Sequence, residues 1–141
     1  MVYVLDTDHL SLFHRGFPGI RERIDLLSPD QIAIMIITAE EQLRGRLAQI
    51  SKASSIEDRV KKYLWLQETL ASLNKLPILQ SSIAAGHKVE EFRRLKIRVG
   101  TQDLRIAAIT LAHQGILVTR NLKDFSQIPG LTIENWAIGR Q

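Results

Sequence analysis

Val2-Tyr3-Val4-Leu5-Asp6-Thr7-Asp8 is an apolar run without two-residue alternation that stops abruptly at a pair of acids. A strand with one wet face alternates apolar and polar side chains, whereas a strand covered on both faces stays apolar, as in parallel sheets sandwiched by helices. Four further runs of this kind follow, at residues 32–37, 76–79, 116–119 and 131–133. Helical patterns separate them at residues 10–14, 19–27, 38–50, 56–73, 82–97 and 102–113, with start signals at Thr38, Ser55 and Thr101. Strands that alternate with helices predict an α/β protein whose parallel sheet is covered on both faces. Ligands of such sheets lie at the carboxyl ends of the strands.

With 141 residues, 45% of them hydrophobic, the chain is sized for one core, and residues 1–141 read as a single domain. No repeat, low-complexity tract or Pro/Gly linker divides it. The absence of cysteine excludes disulfide scaffolds, thiol nucleophiles and Cys-ligated metals, and fits a reducing compartment. Asp6 and Asp8 lie where a signal peptide would need a basic and then an apolar segment. The uncharged stretch 106–119 falls short of the roughly 18 residues that cross a bilayer. A soluble cytoplasmic protein is expected. Lys and Arg number 19 against 15 Asp and Glu, a formal charge of +4, which biases the chain mildly toward polyanions.

There is no GxGxxG, GxxxxGK[ST] or GxSxG, and His9, His14, His87 and His113 lack metal-ligand spacing. The chemistry-bearing residues are acids near strand ends. Asp6 and Asp8 follow the first strand, Glu40 and Glu41 open the helix after the second, Asp103 opens the helix before the fourth, and Asn121 and Asp124 follow the fourth. A parallel sheet brings them to one edge, where crowded carboxylates need an offsetting cation. Hard oxygen donors suit Mg²⁺ or Mn²⁺, which bind through a few carboxylates and substrate phosphates, so a phosphodiesterase using metal-activated water is expected. Local roles compete with this reading. Thr38-x-x-Glu41 has the spacing of a capping box, Asp103 suits a helix N-terminus, and Asp124 suits a turn. Asp6 has no such role unless a helix begins beside it, and Asp8 is the better cap for residues 10–14.

Lys88, Arg93, Arg94, Lys96, Arg98 and Arg105 crowd into an 18-residue stretch that leads to Asp103. Its position beside the acidic edge favours contacts with a nucleic-acid backbone over a merely solvated helix face. Only 6% of residues are aromatic, so recognition should rest on shape and phosphates. The pattern 56–73 carries Val60, Tyr63, Leu64, Trp65, Leu66, Leu70 and Leu73, more apolar surface than one sheet face requires. These residues either pack on the preceding helix or meet a partner.

The order of motifs is Val4-Leu5-Asp6-Thr7-Asp8, then Ile36-Ile37-Thr38-Ala39-Glu40-Glu41 with Gly45, then Val99-Gly100-Thr101-Gln102-Asp103 with Ile106-Ala107-Ala108, then Leu117-Val118-Thr119-Arg120-Asn121-Leu122-Lys123-Asp124-Phe125. It resembles a PIN domain across essentially the whole chain. The ending Ile128-Pro129-Gly130-Leu131 and Ile133-Glu134-Asn135-Trp136 is similar to that of VapC-type toxins of bacterial toxin–antitoxin pairs. The resemblance implies a sheet in the order 3-2-1-4-5 and a Mg²⁺- or Mn²⁺-dependent endoribonuclease. It also implies a homodimer and inhibition by a VapB-type antitoxin. By position it implies that Asp6, Glu41, Asp103 and Asp124 form the catalytic and metal-binding set, with Asp8 as an outer ligand. Two departures leave alternatives. Asn121 stands where many members have Asp, so Asn121 and Asp124 share claim to the fourth role, and Glu40 competes with Glu41, whose spacing from Thr38 and Gly45 favours it. Arg93, Arg94, Lys96, Arg98 and Arg120 are the expected RNA contacts. The competing functions are a haloacid-dehalogenase-like phosphatase, suggested by Asp6-Thr7-Asp8, and a non-catalytic RNA-binding domain.

Overall fold

The computed structural model describes residues 1–138. Five short strands, β1 (Tyr3–Leu5), β2 (Ile32–Met35), β3 (Ile78–Leu79), β4 (Ile116–Val118) and β5 (Thr132–Glu134), form one sheet in the order β3-β2-β1-β4-β5. All neighbouring pairs are parallel, with Val4 level with Ala33 on one side and with Leu117 on the other. The expected α/β class and 3-2-1-4-5 order are those observed.

Burial explains the unalternating strands. Val4, Leu117 and Met35 pack into one apolar cluster with Phe92, Leu104 and Ala107, while Leu5, Val118 and Ile34 pack into a second with Leu10, Ile20 and Trp136. Successive strand residues point to opposite faces, so a core on each face requires apolar residues at every position. The helices supplying those layers are α1 (Thr7–His14), α2 (Pro18–Asp25), α3 (Ile36–Ser51), α4 (Ile56–Leu73), α5 (Ile83–Arg94) and α6 (Thr101–Ala112), with a short α7 (Leu122–Phe125) after β4. A 3-10 turn, Pro29–Gln31, leads into β2.

Three local readings need correction. The apolar run 32–37 is not all strand, because α3 starts at Ile36 and Met35 is its N-cap. Thr38 therefore lies inside the first turn, wholly buried, and the Thr38–Glu41 capping box does not form. Its hydroxyl has no partner among the described residues. The first helix begins at Thr7, not at residue 10, so Asp6 rather than Asp8 is the cap: its carboxylate accepts from the His9 amide at 2.7 Å. Finally, α5 ends at Arg94, since Leu95 caps it and Lys96 turns the chain with φ of 57°.

Candidate active site

The carboxyl ends of β1 and β4 lie side by side, tied by the Asp6 amide donating to the Val118 carbonyl at 3.1 Å. Asp6 leaves β1 at that edge and Asp124 stands on α7 just beyond β4. Glu41 comes from the second turn of α3 and Asp103 from the first turn of α6. All four are part-buried. Burial first, and then the charges of Asp124, Glu41 and Asp6, hold the Asp103 carboxyl above its ordinary value of 3.8. Among the described residues every neighbouring charge acting on Asp103 is thus negative, while Arg120, paired with Asp8, stands near enough to act on Asp6.

The side chains around these acids are ordered. The Thr7 hydroxyl donates to Glu41 Oε2 at 3.1 Å, joining β1's exit to α3. Asn121 caps α7, accepting from the Asp124 amide at 3.4 Å and donating its Nδ2 to Asp124 Oδ2 at 3.1 Å. Asn121 therefore holds Asp124 in place. Glu40 turns the other way: it is exposed, pairs with Arg44 at 2.6 Å and accepts from Gln102 Nε2 at 3.3 Å.

Asp6, Asp8 and His9 present ligand atoms within 4.8 Å of one another, a spacing compatible with a metal. Their hydrogen bonds argue against that trio as it stands. Arg120 takes both oxygens of Asp8, Nε to Oδ2 at 2.5 Å and Nη2 to Oδ1 at 2.7 Å. That hydrogen bonding holds the Asp8 carboxyl below its ordinary value, against a smaller opposing effect of burial. Both His9 ring nitrogens are also engaged, Nδ1 with Asp6 Oδ1 at 3.1 Å and Nε2 with the Trp136 amide at 3.2 Å. Asp6, Glu41, Asp103 and Asp124 offer hard oxygen donors of the kind a divalent cation takes, and the charges of the other three act on Asp103.

Of the expected RNA contacts, Arg94, Lys96 and Arg98 are exposed and have no carboxylate partner among the described residues. Arg93 donates to Thr101 Oγ1 at 3.1 Å and, with Arg105, lines a groove between α5 and α6. Arg120 is bound to Asp8. Sequence reasoning missed Thr7 and His9 as neighbours of the acids. For His9 the signal existed, because a residue three beyond a helix-capping Asp brings its amide onto the carboxylate. For Thr7 there was none, since its partner is 34 residues away.

No protein-family model matches the chain. Ribonuclease VapC2 of Rickettsia felis is 30% identical over 142 residues, spanning 96% of this chain and 98% of the relative. A tRNA(fMet)-specific endonuclease VapC of Salmonella typhimurium is 27% identical, spanning 95% and 97%. Among solved structures, DNA-bound VapBC from Salmonella typhimurium matches with a TM-score of 0.73 and 26% identity, over 96% of this chain and 98% of that one. Likeness of this extent, in sequence and in the order of the sheet, shows that the chain belongs to the VapC family of ribonucleases.

Proposed function

We propose that this protein, as a single domain, is a Mg²⁺- or Mn²⁺-dependent endoribonuclease and the toxin of a toxin–antitoxin pair acting in the cytoplasm. The observation that carries the reading is the convergence on Asp103 of charge from Asp124, Glu41 and Asp6. In this reading Asp6, Glu41, Asp103 and Asp124 hold the cation, Asn121 orients Asp124, and Asp8 lies outside the set. The bound cation supplies neutralisation of these acids and polarisation of the scissile phosphate. Arg94, Lys96 and Arg98, without a carboxylate partner among the described residues, steer the RNA backbone toward Asp103 together with Arg93. A bound cation would also offset the negative charges that act on part-buried Asp103.

The relatives support RNA as substrate, and the VapBC structure supports a small antitoxin as partner. A protein partner also accounts for the outer face of α4, where Val60, Tyr63, Leu64 and Leu70 stay about half exposed or more although α4 packs on α3. That surface also suits a second copy of the chain in a homodimer. Among the described residues, no helix is long and apolar enough to cross a membrane. Nothing favours the phosphatase reading of Asp6-Thr7-Asp8: the relatives are ribonucleases, and Asp8 is engaged with Arg120. The test is cleavage of RNA by the purified, partner-free protein, which Mn²⁺ should support and excess EDTA should abolish. RNA binding without cleavage in Mn²⁺ would instead favour the non-catalytic domain.

A further inference from the structure

His9 is wholly buried, yet it sits three residues from an acid of the proposed metal site. Its two nitrogens face partners of opposite character. The Trp136 amide can only donate, so the 3.2 Å contact makes Nε2 the acceptor. The proton then belongs on Nδ1, which donates to Asp6 Oδ1 at 3.1 Å, alongside the His9 amide at 2.7 Å on the same oxygen. Two donors on Oδ1 fix the carboxylate and leave Oδ2 without a hydrogen bond among the described residues.

The Trp136 amide is itself held firmly. The Trp136 ring is buried and packs, tilted by 48°, against Tyr3 of β1 with ring centres 5.3 Å apart, and its Nε1 donates to Glu134 Oε1 at 3.0 Å. Its carbonyl lies so near Gly19 that a Cβ there would stand 3.2 Å away. The segment after β5 is thus clamped between β1 and α2, and its amide selects the His9 tautomer.

We propose that His9 is a positioning residue: locked as the Nδ1–H tautomer by the Trp136 amide, it fixes Asp6 through Oδ1 and leaves Oδ2 to a divalent cation. The proposal rests on the metal-dependent reading above and adds a residue to it. Buried partners that orient a ligand carboxylate commonly change metal affinity 10–100-fold when removed.

The two hydrogen bonds separate by substitution. In His9→Asn the amide nitrogen falls near the place of Nδ1 and keeps the donor to Asp6, but the Trp136 amide loses its acceptor. In His9→Gln the side-chain oxygen reaches the place of Nε2 and keeps Trp136 satisfied, but Asp6 loses the ring donor. Titration of the full-length proteins with Mn²⁺ by calorimetry, beside melting temperatures in EDTA, reads both effects. We expect His9→Asn to bind Mn²⁺ nearly as the unaltered protein does while melting lower. His9→Gln should melt closer to the unaltered protein and bind Mn²⁺ about 10–100-fold more weakly. Undiminished Mn²⁺ affinity in His9→Gln, or losses of affinity in both variants that merely follow their melting temperatures, would overturn the proposal. In the unaltered protein, long-range ¹H–¹⁵N correlation must place the ring proton on Nδ1, and an Nε2–H ring would overturn it without recourse to any variant. Failure of the unaltered protein to bind Mn²⁺ at all would instead defeat the metal reading, a result distinct from any ratio between variants.

Discussion

Asp8 and Arg120, 112 residues apart, meet through two parallel hydrogen bonds at the edge where β1 and β4 end. The guanidinium fork matches the carboxylate plane, and the pair closes the loop after β4 onto the first turn of α1. Arg120, read from sequence as an RNA contact, is paired here with Asp8. Because Asp8's carboxyl is held low, the pair's stabilisation is present above the ordinary value of 3.8 and is lost as pH falls through the lower folded value. Both side chains are more than a third exposed, so water screens the interaction. A double-mutant cycle of Asp8→Asn and Arg120→Gln, read by denaturant unfolding at neutral pH, should give a coupling of at most about 1 kcal/mol.

Asp103 behaves in the opposite sense. With its folded value raised, the protonated form is favoured in the native state, and this contribution is full below 3.8 and is lost as pH rises through the folded value. Asp103→Asn removes that liability. In EDTA at neutral pH the variant should therefore melt above the unaltered protein, and the gap should close in acid near Asp103's ordinary value. A helix-capping role alone predicts the reverse sign, a small loss of stability at neutral pH.

The sheet was legible because burial on both faces leaves a plain mark, unbroken apolar runs between helical patterns. That Asp124, Glu41 and Asp6 come near Asp103 was legible because the carboxyl ends of parallel strands share one edge. What escaped the sequence lies in the competition between local preference and tertiary packing. Ile36 and Ile37 have the β-branched look of a strand, yet they begin α3, where Ile37 is buried in the core and Ile36 is left exposed, so tertiary context outweighs the local preference. Asp6 was denied a cap because the extent of α1 could not be read from residues 7–9, whose polar character masks a helical turn. The Arg120–Asp8 pair and the Trp136–His9 contact join residues more than a hundred positions apart, and nothing in either local pattern marks the other.

Glu40 and Glu41 provide an internal comparison. Glu41 receives the Thr7 hydroxyl and acts on Asp103, whereas Glu40 makes an exposed pair with Arg44. Glu41→Gln should lower RNA cleavage in Mn²⁺ by about 10²-fold or more, the scale on which one preorganised electrostatic group acts. Glu40→Gln should leave cleavage near normal and cost less than about 0.5 kcal/mol of stability. Cleavage assays on the two variants side by side check both, and an inactive Glu40→Gln would exchange their roles.

Thr38 carries a buried hydroxyl with no partner among the described residues, on a side chain that neither caps α3 nor reaches solvent. Thr38→Val keeps the shape and removes the unpaired group, so it should raise stability by about 1 kcal/mol, measured by denaturant unfolding. A cap or capping-box role for Thr38 would make the same substitution destabilising.

The claim on which the rest depends is that Asp6, Glu41, Asp103 and Asp124 act as one cation site. Calorimetric titration of Mn²⁺ into the partner-free protein and into Asp103→Asn addresses it without relying on any RNA substrate. Saturable binding by the unaltered protein is expected, with affinity at least about tenfold weaker in Asp103→Asn, even though that variant is the more stable of the two in EDTA. Equal Mn²⁺ affinity in the two proteins, or no binding by the unaltered one, would contradict it.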